Sequence, residues 1–171
     1  MLTRSEITAL YRTHADMVYR VCFTCMRGHR MDAEDALQAT FLALIRSGKR
    51  FESAAHKKAW LIATAGNTCK NMLKRSHRKD VPLEMELSAA EKGANPDMLC
   101  AVLALPERER LCICLHYYEG YTAGEIARII RCKESTVWGY LHKARARLRI
   151  ALREDYDERK SKANIRFGAP E

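Results

Sequence analysis

Between Gly124 and Arg149 the chain reads GEIARIIRCKESTVWGYLHKARARLR: a helix, a break, a second helix and then a basic run. Just upstream, Thr122 and Glu125 have capping-box spacing and open the first helix, which runs through Ile126 and Ile129. Arg131-Cys132-Lys133 interrupts it. The second helix carries its apolar stripe on Val137, Leu141, Ala144 and Leu148. A short helix, a three-residue turn and a second helix make the helix-turn-helix geometry, in which the second helix enters the DNA major groove. Its opening residues would face base edges, so Lys133, Glu134, Ser135, Thr136, Trp138, Gly139 and Tyr140 are the candidate reading positions. Lys143, Arg145, Arg147, Arg149 and Arg153 extend along the same helix and can reach phosphates or an acidic protein surface. A solvated helix carries such charges too, so the motif needs support from the rest of the chain.

The 171 residues make room for one ordinary domain or two small ones. Modules of about 70–80 residues have modest cores, which makes docking relevant to their stability. A hydrophobic share of 47% argues for folded protein, and a net charge of +9 favours nucleic acid or an acidic protein face as partner. No targeting segment is visible, and the longest near-apolar run, Ala59 to Gly66, is far too short to cross a bilayer. Seven cysteines without a secretory signal read as reduced thiols of a cytoplasmic protein. Cys22 and Cys25 have C-x-x-C spacing, and Cys112, Cys114 and His116 cluster. Both groups fall inside helical patterns with no second ligand pair at zinc-ribbon spacing. They are expected to be small buried hydrophobes, with no metal and no cofactor. The chain shows no nucleophile-base-orienter set and no phosphate-cradling glycine loop, so no enzymatic activity is expected.

Upstream the periodicity is helical throughout. Thr3 and Glu6 have capping-box spacing, and Ile7, Leu10, His14, Met17, Val21 and Cys25 form one stripe ending near Gly28. Asp32 and Asp35 repeat the start signal at the positive end of a helix dipole, and Ala33, Leu37, Phe41 and Leu44 carry the next apolar face up to Ser47-Gly48. A third helix is predicted from about His56 to Arg75 around Trp60, Leu61, Ala63 and Met72. From Asp80 to Pro96 the chain is polar, holds two prolines and a glycine, and has no sustained period, so it reads as a linker. Beyond it, Pro106 suits a first helical position ahead of Leu111, Cys114, Leu115 and Tyr118, and Glu119-Gly120 ends that helix. Strand patterns are absent. The expectation is an all-α chain of two small helical domains joined by a flexible linker.

Two blocks carry a family resemblance. The first, LYRTHADMVYRVC with DAEDALQATFLALIRSGKRF and KKAWLIATAGNTCKNMLKRSHRK, is similar to sigma region 2. The second, LALPERERLCICLHYYEGYTAGEIARII followed by STVWGYLHKARARLR, is similar to sigma region 4. In that order they resemble the sigma-70 family of RNA polymerase sigma factors, in its extracytoplasmic-function (ECF) class. The resemblance implies a region 2-like helical bundle over residues 1–79, a linker over 80–96, a region 4-like helix-turn-helix domain over 97–153 and a charged tail over 154–171. It implies a transcription initiation factor that binds core polymerase at its clamp helices and flap and directs it to promoter DNA. An anti-sigma factor is the further partner implied.

Residue by residue, the resemblance puts Asp35, Gln38, Phe41 and Arg46 at the core-polymerase contact. Asn67, Lys70, Asn71, Lys74, Arg75 and Arg78 fall at the single-stranded −10 element. The chemistry suits the second role, because Asn67, Lys70 and Asn71 share a helix face and amides can bond the edges of an unstacked base. The helix from Glu134 to Arg145 falls at the −35 element. Three departures stand out. Arg131 occupies a turn position where the family usually has Gly, and an L-residue forced to the left-handed conformation costs about 1–2 kcal/mol. Gly124 stands where Glu is common, and weakens its helix by up to about 1 kcal/mol. Trp138-Gly139-Tyr140 replaces Lys-Ser-Arg, removing two basic contacts and adding two aromatics. Trp138 then either packs against thymine methyls in the major groove or serves, with Tyr140, a protein interface. A free-standing regulator using the last helix alone would leave the first block unexplained.

Overall fold

A computed structural model describes residues 3–75 and 95–166, with side chains described through residue 154. The described residues form α-helices α1 (Arg4–Cys25), α2 (Arg30–Ser47), α3 (Ala54–Arg75), α4 (Pro96–Leu103), α5 (Glu107–Ile113), α6 (Ala123–Ile130) and α7 (Glu134–Arg166). α5 continues into a π-helical turn at Cys114–Tyr118. No strand occurs among the described residues.

α1 to α3 form an N-terminal bundle. The Thr3 hydroxyl accepts the Glu6 amide at 3.3 Å while the Glu6 carboxylate accepts the Thr3 N–H at 2.7 Å, the reciprocal cap the spacing predicts. From the stripe of α1, His14, Met17, Val21 and Cys25 are buried. They meet Ala33, Leu37, Phe41 and Leu44 of α2 and Leu61, Ile62, Ala65 and Cys69 of α3. α2 starts earlier than Asp32 and Asp35 suggest: His29 occupies its cap position without a side-chain bond, and Asp32 lies in the first turn. There its charge favours the positive helix end without capping it. α3 also starts earlier, at Ala54, because the Ser53 hydroxyl accepts the His56 amide at 3.1 Å.

α4 to α7 form the second module. Asn95 caps α4 by accepting the Asp97 amide at 3.0 Å, so this module begins one or two residues before the expected boundary. Val102, Leu103, Leu111, Leu115, Ile126, Val137, Leu141 and Ala144 fill its interior. Pro106 is the cap residue and Glu107 the first helical one. Tyr118 is a correction. Its place in the stripe of α5 predicted core, yet it is 56% exposed, because the π-turn swings the end of the helix around its axis. Part of the charged segment after residue 153 continues α7, which runs on as helix to Arg166; residues 167–171 lie outside the described residues.

The two modules pack directly on each other. A tether of the predicted composition allows many arrangements, whereas the structure holds one. Gly28 (φ +81°) closes the chain after α1, its N–H donating to the Phe23 carbonyl at 2.9 Å. A Cβ there would lie 2.9 Å from Leu103 Cδ1, so the missing side chain is where the second module sits. Thr24 Oγ1 donates to Cys114 Sγ at 3.4 Å, and Arg20 forms a two-pronged pair with Glu119, Nε to Oε1 at 2.6 Å and Nη2 to Oε2 at 3.1 Å. At the centre, the buried Arg110 donates from Nη1 to the carbonyls of Leu103 (3.1 Å) and Leu105 (2.8 Å) and from Nη2 to that of Cys25 (3.3 Å). One guanidinium thus satisfies carbonyls at the ends of α4 and α1, which a helix terminus leaves without partners.

Candidate nucleic-acid interface

α6, the turn Arg131–Lys133 and α7 reproduce the helix-turn-helix expected from the spacing. The Thr122–Glu125 capping box is present, with Glu125 Oε2 accepting the Thr122 N–H at 2.8 Å. Those bonds favour the ionised form, holding the Glu125 carboxyl below the ordinary carboxylate range. Arg131 takes the left-handed conformation (φ 55°, ψ 58°), and the Cys132 N–H closes the turn on the Ala127 carbonyl at 3.0 Å. The turn therefore keeps the usual geometry with a residue that is strained in it. Arg131→Gly is expected to stabilise the fold by about 1 kcal/mol, raising the thermal midpoint by roughly 2–4 °C. An unchanged or lower midpoint would show that the Arg131 side chain compensates for its backbone.

Val137, Leu141 and Ala144 anchor α7. That registration leaves Lys133, Glu134, Ser135, Thr136, Trp138, Gly139 and Lys143 exposed, while Tyr140 and Arg145 are half-buried. Arg147 lies 3.1 Å from the buried Glu109 carboxylate while its own side chain stays 59% exposed. Glu134 sits over Gly124, where a Cβ would meet its Oε2 at 3.2 Å, and its Oε1 accepts the Trp138 indole N–H at 3.4 Å. The glycine that weakens α6 thus makes room for the first residue of α7.

On α3, Asn67, Lys70, Asn71, Lys74 and Arg75 are exposed; Arg78 lies outside the described residues. Asn67 and Lys70 line a cleft of about 170 Å³ whose far wall is Glu107, Arg108, Leu111, Ile129, Ile130 and Arg131. The proposed strand-holding face and the helix-turn-helix module therefore look at each other. Trp60, read as core, is half-buried, with its ring 5.7 Å from Phe51. Lys49 Nζ lies 5.8 Å from the Trp60 ring centroid.

A second surface lies between α1 and α2. Asp35, Gln38 and Arg46 are exposed on α2, and Phe41 is buried at the floor of a groove of about 580 Å³ with Ile7, Tyr11, Leu42 and Ile45. Tyr11 packs its ring 4.9 Å from Phe41. Leu42 and Ile45 were missed by the reading of one stripe per helix. The signal was there, since Gln38, Leu42 and Ile45 make a second face at helical spacing.

Neither cysteine group brings ligands together: among the described residues no cluster of three or more His, Cys, Asp or Glu could hold a metal. Burial pushes the Cys112 and Cys114 thiols up to about 12. Hydrogen bonding with Cys69, then burial, holds Cys25 well above the ordinary thiol range. His116 turns away, with its Nδ1 2.8 Å from the Tyr121 carbonyl. No described helix is long and apolar enough to cross a membrane.

Comparison with known proteins agrees with this geometry. Residues 10–79 match sigma-70 region 2 and residues 97–148 match sigma-70, region 4. The ECF RNA polymerase sigma factor SigM of Mycobacterium tuberculosis is 30% identical over 150 residues, covering 85% of this chain and 76% of that protein. SigE of Mycolicibacterium smegmatis, also an ECF RNA polymerase sigma factor, is 29% identical over 163 residues. That match takes in 87% of this chain but only 62% of its relative. The sigma factor RpoE, solved in complex with the anti-sigma factor NepR from Bartonella quintana, shares the fold with a TM-score of 0.74 at 20% identity over 85% of this chain and 96% of that one. With both sigma regions present in order on two helical modules, the chain belongs to the sigma-70 family, as an ECF RNA polymerase sigma factor.

Proposed function

We propose that the chain docks on the clamp helices of core RNA polymerase through the α1–α2 groove, reads the −35 duplex with the start of α7 and holds the unstacked −10 strand on Asn67, Lys70, Asn71 and Lys74 of α3. The observation that carries this reading is the division of labour between the modules. The apolar groove and the amide-and-lysine face lie on the module that matches region 2, and the exposed helix start lies on the one that matches region 4. Promoter opening needs no catalytic group. Selective binding of extruded bases shifts the duplex-to-melted equilibrium by its own free energy, so the chain acts as a binding subunit rather than an enzyme. It works in the cytoplasm, where polymerase and promoter are. The flap of the polymerase and an anti-sigma factor are further partners in this reading.

The closed arrangement cannot serve both elements at once. Their names place them about 25 base pairs apart, roughly 85 Å of duplex at ~3.4 Å per step. The cleft beside Asn67 and Lys70, at about 170 Å³, is smaller than the roughly 300–1,000 Å³ of a small-molecule site. The modules therefore part when polymerase and promoter are bound. The contact most accessible to a test is Arg20–Glu119, with Arg20 half-exposed and Glu119 nearly covered. Glu119→Arg is expected to weaken closure by about 1 kcal/mol, a ~5-fold shift toward the open form, seen as a larger radius of gyration in solution scattering. Adding Arg20→Glu should restore the compact form; a swap that behaves like the single variant would remove this pair from the hinge.

The function itself is tested by reconstitution: purified chain with core polymerase, run-off transcription, and promoters selected from a random DNA pool. The expected result is a stable holoenzyme that starts transcription at promoters sharing two separated elements. A chain that neither binds core enzyme nor supports initiation from any member of the pool would overturn the proposal.

A further inference from the structure

The π-turn at Cys114–Tyr118 has an effect beyond the exposure of Tyr118. An extra residue in one helical turn rotates the side chains that follow it. Here it brings His116 and Tyr117 against the exposed edge of α7. The His116 ring meets the Trp138 ring edge-on with centroids 6.3 Å apart, and meets Tyr117 the same way at 4.9 Å. The Arg145 guanidinium lies 6.0 Å from the Tyr117 ring centroid. Trp138 and Arg145 are seven positions apart on α7 and so share a face. The aromatic pair from the π-turn underlies both.

His116 is itself held. Its Nδ1 is 2.8 Å from the Tyr121 carbonyl, and a carbonyl only accepts, so Nδ1 carries the proton and donates. Trp138 is thereby braced on two sides. Glu134 accepts its indole N–H at 3.4 Å, and His116 stands against its ring. An indole has one polar atom, a donor, and here Glu134 occupies it. What Trp138 offers outward is ring carbon, and it remains 48% exposed. In the major groove the feature that matches ring carbon is the thymine methyl. The Glu134 carboxylate, engaged with the indole, is drawn back from the cytosine amino group that it could otherwise accept from.

We propose that the π-turn is part of the −35 reading surface, with His116 acting as a positioning residue that fixes the ring of Trp138 against one thymine-bearing step. This rests on α7 reading the −35 duplex. Ordering a free aromatic side chain at an interface costs enough to matter: releasing Trp138 should reduce discrimination at its step by about 2- to 10-fold. The effect is confined to the base position that Trp138 meets, since Trp138 is the reading residue whose ring His116 meets.

The test uses reconstituted holoenzyme and a promoter library randomised through the −35 element, with selection at the −10 element as internal reference. Trp138→Ala should lower thymine preference at one step. His116→Asn keeps a donor for the Tyr121 carbonyl but loses the ring, and should lower preference at that same step by about 2- to 10-fold. His116→Phe keeps a ring and should recover most of it. The double variant His116→Asn, Trp138→Ala should be no worse than Trp138→Ala alone, because the two residues act as one unit. If His116→Asn leaves that preference unchanged, or shifts a different step, His116 does not position Trp138 and the proposal is overturned. Trp138→Ala without effect on base choice overturns it as well. Ser135→Ala and Lys143→Ala separate this from failure of the underlying reading. If they weaken −35 use while the His116 variants are inert, only the bracing role falls. If none of these variants alters −35 use, α7 is not the reading helix.

Discussion

Replacing Arg110 with alanine is expected to lower the stability of the chain by about 3–5 kcal/mol, a large part of the ~5–15 kcal/mol that holds a typical domain folded. The side chain is 1% exposed and donates to three backbone carbonyls, those of Leu103, Leu105 and Cys25. Removing it leaves three buried acceptors without partners and a cavity between the modules. Each unpaired acceptor alone costs about 1–3 kcal/mol, with water entry recovering part of the loss. The thermal midpoint should fall by roughly 10 °C. Arg110→Lys should recover only part of this, because an ammonium lacks the fork that spans carbonyls of two helices. A second readout separates loss of docking from general unfolding. Cys25 lies beneath this contact, its thiol held well above the ordinary range by Cys69 and burial. It should become reactive toward a thiol reagent under conditions where the helical signal is still native. A midpoint within 2 °C of the parent would show that Arg110 is incidental to the closed form.

Leu42→Asp together with Ile45→Asp is expected to weaken binding to core polymerase by at least ~100-fold while barely altering stability. Both side chains are exposed, 49% and 39%, on the rim of the α1–α2 groove. Substitutions at such positions usually change stability by no more than about 0.5 kcal/mol. In a docked complex the same two carboxylates would be buried without partners, and loss of a buried apolar anchor costs about 2 kcal/mol or more per site. Titration of labelled chain into core enzyme, followed by anisotropy, measures the change. Asp35, Gln38 and Arg46 flank the groove and should contribute smaller, salt-dependent effects. Unchanged affinity in the double variant, with its melting curve intact, would move the docking surface elsewhere on the chain.

The elements whose controlling bonds close within four residues were legible. Thr3 with Glu6 and Thr122 with Glu125 announce helix starts by reciprocal bonds that any chain with those residues can make locally. Gly48 and Gly120 end helices at positive φ, where glycine is free of the side-chain penalty. The stripe of α7 places Val137, Leu141 and Ala144 inside, and the exposure of Glu134 to Thr136 follows from helical period alone. Errors came where a helix departed from its regular period, carried a second apolar face or met a residue far along the chain. Tyr118 left the core because α5 opens into a π-turn, and the pairing of Arg147 with the buried Glu109 went unread because the two lie on different helices. Leu42 and Ile45 were hidden because one apolar stripe already accounted for α2.

By itself the sequence determined six of the seven helices in two groups, with α4 (Pro96–Leu103) unread, together with the helix-turn-helix, the strained turn at Arg131 and the faces on which Asn67, Lys70, Glu134 and Trp138 lie. Only the tertiary structure decided that the two groups close on each other through Arg20, Gly28 and Arg110, and that His116 comes to stand beside Trp138. The reason is range. A cap or an apolar stripe is settled by energies between residues three or four apart, whereas closure depends on pairs such as Arg20 and Glu119, 99 positions apart. The partners in such a pair bear no mark of each other until the cores they belong to have formed.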